Sequence, residues 1–126
     1  MTKIMNDLKI ITKSEFLPEY SSDEKALFLF SYKIIIENTG GENFQLLSRH
    51  WDIEDSLGRK KVVDGEGIVG KKPIIKPGES FEYKSFCPLN TNFGYMKGFY
   101  TVKDEKGKLF KVSIPKFGLI PPSYIN

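Results

Sequence analysis

One cysteine and one histidine in 126 residues exclude a good deal of chemistry. A lone Cys87 cannot close an internal disulfide, so the fold must be held by its core, and a reducing, cytoplasmic setting is expected. With one Cys and one His, a structural zinc site cannot be assembled. No apolar run approaches the ~20 residues that span a bilayer. The N-terminal MTKIMNDLKIITKSE is too charged for the core of a signal peptide, so no membrane insertion is expected. The net charge is only +3, with lysines scattered along the chain, which leaves no footprint for nucleic acid. Helix signals are nearly missing too: EYSSDEKA, the one candidate helical turn, reads better as a polar loop.

Aromatic and β-branched residues are abundant, with ten Phe and six Tyr, and both types favour half-buried pleated surfaces. Residues 8–16 alternate loosely. Residues 26–37 alternate well, placing Phe28, Phe30, Tyr32, Ile34 and Ile36 on one face of a strand. In 44–54, Phe44 and Leu46 share one parity while Leu47, Trp51 and Ile53 share the other, which predicts a bulge near Leu46–Leu47. A short strand at KKVVD follows, then a Pro77–Gly78 turn, then strands at 81–86, 95–104 and 108–115. FGLIPPSYIN, with two adjacent prolines, predicts an extended tail outside any ladder. About seven short strands without helices predict one all-β domain over 1–126, an antiparallel β-sandwich with Trp51 and Tyr100 in its core.

The segment DGEGIVGKKP spaces Gly65, Gly67 and Gly70 as G-x-G-x-x-G. A dinucleotide site needs those glycines to follow a buried strand and open a helix. Pro73 and Pro77 occupy the path of that helix, so this reading fails. The P-loop spacing fails as well. Two readings remain: a loop that uses glycine for positive φ, or an anion nest of loop N–H groups flanked by Lys71 and Lys72. Ser48, His50 and Asp52 share a strand face, but neighbours on such a face stand about 7 Å apart, too far for a hydrogen-bonded relay. A solvated face is expected there, and no catalytic site. Asp52, Glu54, Asp55, Asp64 and Glu66 are carboxylates that magnesium or cobalt accepts, yet no recognised loop spacing links them. They read as surface acids, so neither metal nor cofactor is expected. Phe93 and Tyr95 in a loop, with Phe117, Leu119, Ile120 and Tyr124 in the tail, form either a partner surface or a cover for one open end of the core. Edge strands also offer a route to a homodimer.

QLLSRHWDIEDSLGR, VDGEGIVGKKPIIKPGESFEY and MKGFYTVKDEKGKLFKVSIPKFGL, running on to LIPPSYIN, resemble the ApaG family in order and content. The resemblance extends from about Phe28 to the end. It implies a fibronectin type III or immunoglobulin-like sandwich, from a bacterial protein tied genetically to cobalt resistance and magnesium efflux. Related domains in eukaryotic F-box and polymerase-interacting proteins look like protein-binding modules, and the family carries the same glycines. The expectation is therefore a non-catalytic protein-interaction module. A phosphate, pyrophosphate or nucleotide sensor working through the Gly65–Lys72 loop is the alternative.

Overall fold

A strand that alternates polar and apolar residues has one face to cover, and here two sheets cover each other. The computed structural model describes residues 3–4, by backbone alone, and 6–124. Nine strands follow in order: β1 (Lys3–Ile4), β2 (Leu8–Phe16), β3 (Phe28–Asn38), β4 (Phe44–Asp55), β5 (Lys60–Glu66), β6 (Ile74–Ile75), β7 (Ser80–Leu89), β8 (Gly94–Lys103) and β9 (Leu109–Leu119). One sheet runs β2-β3-β7 and the other β1-β9-β8-β4-β5, with β6 added to β4. All pairings are antiparallel except the two-residue β1–β9 contact. This is the antiparallel β-sandwich that the alternation predicts. Among the described residues no helix is long and apolar enough to cross a membrane.

The face of β3 read from period two is the buried one: Phe30, Ile34 and Ile36 are fully enclosed and Tyr32 nearly so. Opposite it lies Trp51 of β4, 2% exposed. Its ring meets Tyr32 at 5.4 Å, Phe117 at 5.9 Å and Tyr100 at 6.5 Å, all edge-on. Edge-to-face contacts of this kind suit the ring quadrupole and add to the area each ring buries. The β4 bulge falls between Leu46 and Ser48, where the parity switch put it. Gly98 of β8 faces Trp51, and a Cβ there would collide with the His50 carbonyl oxygen. Only glycine lets β8 come so close to β4 at the centre of the core.

The C-terminal segment departs from expectation. Phe117, Gly118 and Leu119 belong to β9, paired with Met96, Tyr95 and Gly94. Phe117, half-buried, therefore packs against the core beside Trp51, and Leu119 is fully buried. The ladder survives Pro115 because the β8–β9 register shifts between Met96 and Gly98, so Pro115 and Lys116 have no partner to bond. Tyr95 likewise belongs to β8 and not to a loop. From Ile120 the chain leaves the sheet and makes a turn over Pro122–Tyr124.

Candidate functional site

In the Gly65–Lys72 segment each glycine has a mechanical reason. Gly65 pairs with Arg49 across β4–β5, and a Cβ on it would meet the Arg49 guanidinium at 2.5 Å. The bare backbone lets Arg49 lie across β5 and donate from Nη1 to the carbonyls of Glu66, at 3.0 Å, and Gly67, at 2.9 Å. Gly67 has φ +65°, and a Cβ would stand 2.6 Å from the Lys71 carbonyl oxygen. Val69 and Gly70, at φ +51° and +76°, form the centre of a two-residue turn of the primed type that closes on Ile68 and Lys71. The N–H of Gly67 donates to Leu47, and Ile68 and Lys71 exchange both of theirs. Lys72 pairs with Glu66 at 3.2 Å. Three of the N–H groups that a nest would need are thus engaged with the chain's own carbonyls, which supports the structural reading of the glycines.

The two sheets part at one side, between the edge strands β5 and β7. The cleft there holds about 500 Å³. Tyr32, Trp51, Ile53, Val63, Phe86 and Met96 give it an apolar floor and walls, while Arg49, Arg59, Lys60 and Lys61 bring positive charge. Arg59 is paired with Asp55, Nε to Oδ2 at 2.6 Å. Arg49, half-buried, has no carboxylate within ion-pair distance among the described residues, and neither do Lys60 and Lys61. Among the described residues the buried Trp51 indole Nε1 finds no hydrogen-bond partner. Cys87 also lines the cleft, and burial pushes its thiol up to about 11, so it stays protonated and inert at neutral pH. Deeper in, burial raises Tyr83 and Tyr100, whose hydroxyls bond to each other.

On the outer face of β4 the 7 Å argument is overturned. His50 Nε2 reaches Asp52 Oδ1 at 3.2 Å, and Nδ1 reaches Asp64 Oδ1 on β5 at 2.6 Å. The ring stacks on Phe99 at 4.7 Å, and Lys111 Nζ lies 4.6 Å from the same Phe99 ring. The hydrogen bond to Asp64 holds His50 above its ordinary value, with partial burial opposing and Asp52 assisting. Both ring nitrogens face carboxylates, so neither is turned toward a nucleophile as a general base would be. Ser48 pairs with Glu66 across the strand and takes no part in this group. Of the other acids proposed as metal donors, Glu54 lies 3.9 Å from Lys116, and no group of three His, Cys, Asp or Glu side chains among the described residues is set to hold a metal.

Comparison with known proteins agrees with this architecture. The ApaG domain profile matches residues 18–104. The chain belongs to the ApaG family. A Protein ApaG of Bdellovibrio bacteriovorus is 47% identical over 116 residues, covering 92% of this chain and 91% of that one. The Protein ApaG of Afipia carboxidovorans is 44% identical over 119 residues, covering 94% and 92%. The crystal structure of an ApaA protein from Bordetella pertussis superposes with a TM-score of 0.90 at 39% identity, covering 97% of this chain and 98% of that one.

In this ApaG fold the candidate partner surface divides. Leu119 is internal, Phe117 is half-buried against the core, and Ile120 is half-buried beside Gly118. Phe93, Tyr95 and Tyr124 do come together: Phe93 lies 6.3 Å from Tyr95 and 6.1 Å from Tyr124. Asn92 donates to the Tyr124 hydroxyl at 2.6 Å, and Lys116 sits 4.7 Å from the Tyr95 ring. The bracing role of Arg49, the contact of Asp64 with His50 and the cleft are not legible in the sequence alone. The signal was there in a weak form: a glycine that falls opposite an arginine once β4 and β5 are paired.

Proposed function

We propose that this ApaG domain is a non-catalytic interaction module that docks a protein partner on the aromatic end formed by Phe93, Tyr95 and Tyr124. The observation that carries the reading is Tyr124. It is 56% exposed yet held by Phe93 and Asn92, so a large amphipathic ring is presented to solvent in a fixed pose. Rigid aromatic anchors lose little entropy on binding and recur at the centres of protein interfaces. The tie to cobalt resistance and magnesium efflux that the family resemblance implies runs, on this proposal, through that partner in the cytoplasm. Affinity capture from a bacterial lysate with the wild type and a Tyr124→Ser, Phe93→Ser variant tests it. A partner retained by the wild type should be lost from the variant while the thermal melt stays close to normal. Equal recovery of every co-eluting protein by both would overturn it.

A further inference from the structure

We infer that the cleft between β5 and β7 binds a small organic carboxylate, its apolar body against Trp51 and its carboxyl group at Arg49. The site is distinct from the aromatic end, since none of Phe93, Tyr95 and Tyr124 lines it. Its volume of about 500 Å³ falls within the range of small-molecule sites, which join an apolar lining to a few convergent polar groups.

Two independent observations give the ligand its chemistry. A buried donor without an acceptor is rare in folded proteins, and the Trp51 indole N–H is one. A half-buried guanidinium ordinarily meets a carboxylate, and among the described residues Arg49 meets only the carbonyls of Glu66 and Gly67, both through Nη1. Both residues line the same cleft, with Lys60 and Lys61 beside them. The one carboxylate lining the cleft, Asp55, is taken by Arg59, and beside Ser85 and Asn90 the remaining wall is apolar: Val63, Phe86, Leu89 and Met96. A single half-buried cation matches one negative charge. Lys60 and Lys61 add only screened charge from the exposed rim, so the enclosed charge facing the head group is the single one of Arg49, which a monoanion matches. A carboxylate on an aromatic or aliphatic body answers the unpaired Arg49 and the apolar wall together.

Trp51 is the only tryptophan, so its fluorescence reports the cleft directly. Phenylpropionate is the probe, with acetate, phenylpropionamide and phenyl phosphate as its companions. The expected result is a saturable change with phenylpropionate that weakens with salt, while acetate and the amide bind about tenfold more weakly or worse. Arg49→Gln should abolish the change. Because Arg49 also braces the Gly65–Gly67 backbone, Lys61→Gln is the companion variant: Lys61 is exposed, its loss leaves the melt unaltered, and binding should still weaken. Several outcomes would overturn the inference. One is no saturable response to phenylpropionate, benzoate or phenylvalerate. Another is equal binding of acid and amide, or of acid and acetate. Tighter binding of phenyl phosphate than of phenylpropionate would overturn the assignment of the head group, and an unchanged response in a folded Arg49→Gln variant would overturn its placement at Arg49.

Discussion

The glycine loop and the cleft lie side by side, joined by Arg49, and they differ in one respect. The loop has a motif but few free donors: Gly67, Ile68 and Lys71 give their N–H groups to the chain's own carbonyls, and Lys72 has Glu66. The cleft has no motif, yet the Trp51 N–H has no acceptor and Arg49 has no carboxylate among the described residues. Glycines at suggestive spacing can be wholly accounted for by sterics, as at Gly65 under the Arg49 guanidinium. A binding site is better recognised by polar groups that the fold leaves unsatisfied.

The largest effect that bears on this contrast is at the floor of the cleft. Trp51→Ala removes a side chain that three aromatic rings contact, and should cost about 3–5 kcal/mol in a denaturant titration. Trp51→Phe keeps most of the apolar contact and deletes an N–H with nothing to lose, so it should cost less than half as much. Equal losses would mean that the indole N–H has a partner within the fold.

In the loop, Gly67→Ala should cost about 2 kcal/mol, because a left-handed φ and the Lys71 carbonyl both oppose a Cβ. Gly70→Ala, with a similar φ but open space around it, should cost about 1 kcal/mol. If the two cost the same, the crowding at Gly67 is not what fixes the loop.

A smaller effect belongs to the outer face. The folded state holds His50 above its ordinary value, so its pairing with Asp64 and Asp52 stabilises fully below the unfolded imidazole value. That contribution disappears as pH rises through the elevated folded value. Comparing wild type and His50→Gln by thermal melts should show a gap that closes with rising pH and stays under about 1 kcal/mol, because the carboxylates are solvated. A gap that widens with pH would reverse the assignment. Smallest of all, Lys71→Ala with Lys72→Ala should leave stability within about 0.5 kcal/mol of wild type.

The strands were legible because period-two alternation is a local property: the buried face of β3 and the β4 bulge both follow from neighbours in sequence. Phe117 and Leu119 were misplaced because Pro115 and the Pro121–Pro122 pair suggest the end of a ladder. The register shift opposite Pro115, which keeps β9 going, depends on where Gly98 falls in β8. The His50 pair escaped notice for a related reason. Asp64 becomes its neighbour only when β5 folds back on β4, and the His50 and Asp52 side chains reach toward each other along the strand, closing a gap that backbone spacing alone overstates. The cleft was least legible, since β3, β4, β5, β7 and β8 all contribute to it.

Nitrogen-resolved NMR during titration tests the contrast most directly, because it reads both regions at once. Phenylpropionate should shift the Trp51 indole N–H, the Arg49 side chain and the amides of residues 60–63. Pyrophosphate at low salt should leave the amides of residues 67–72 unmoved. A silent indole together with saturable pyrophosphate shifts across residues 67–72 would contradict the account and return the site to the glycine loop.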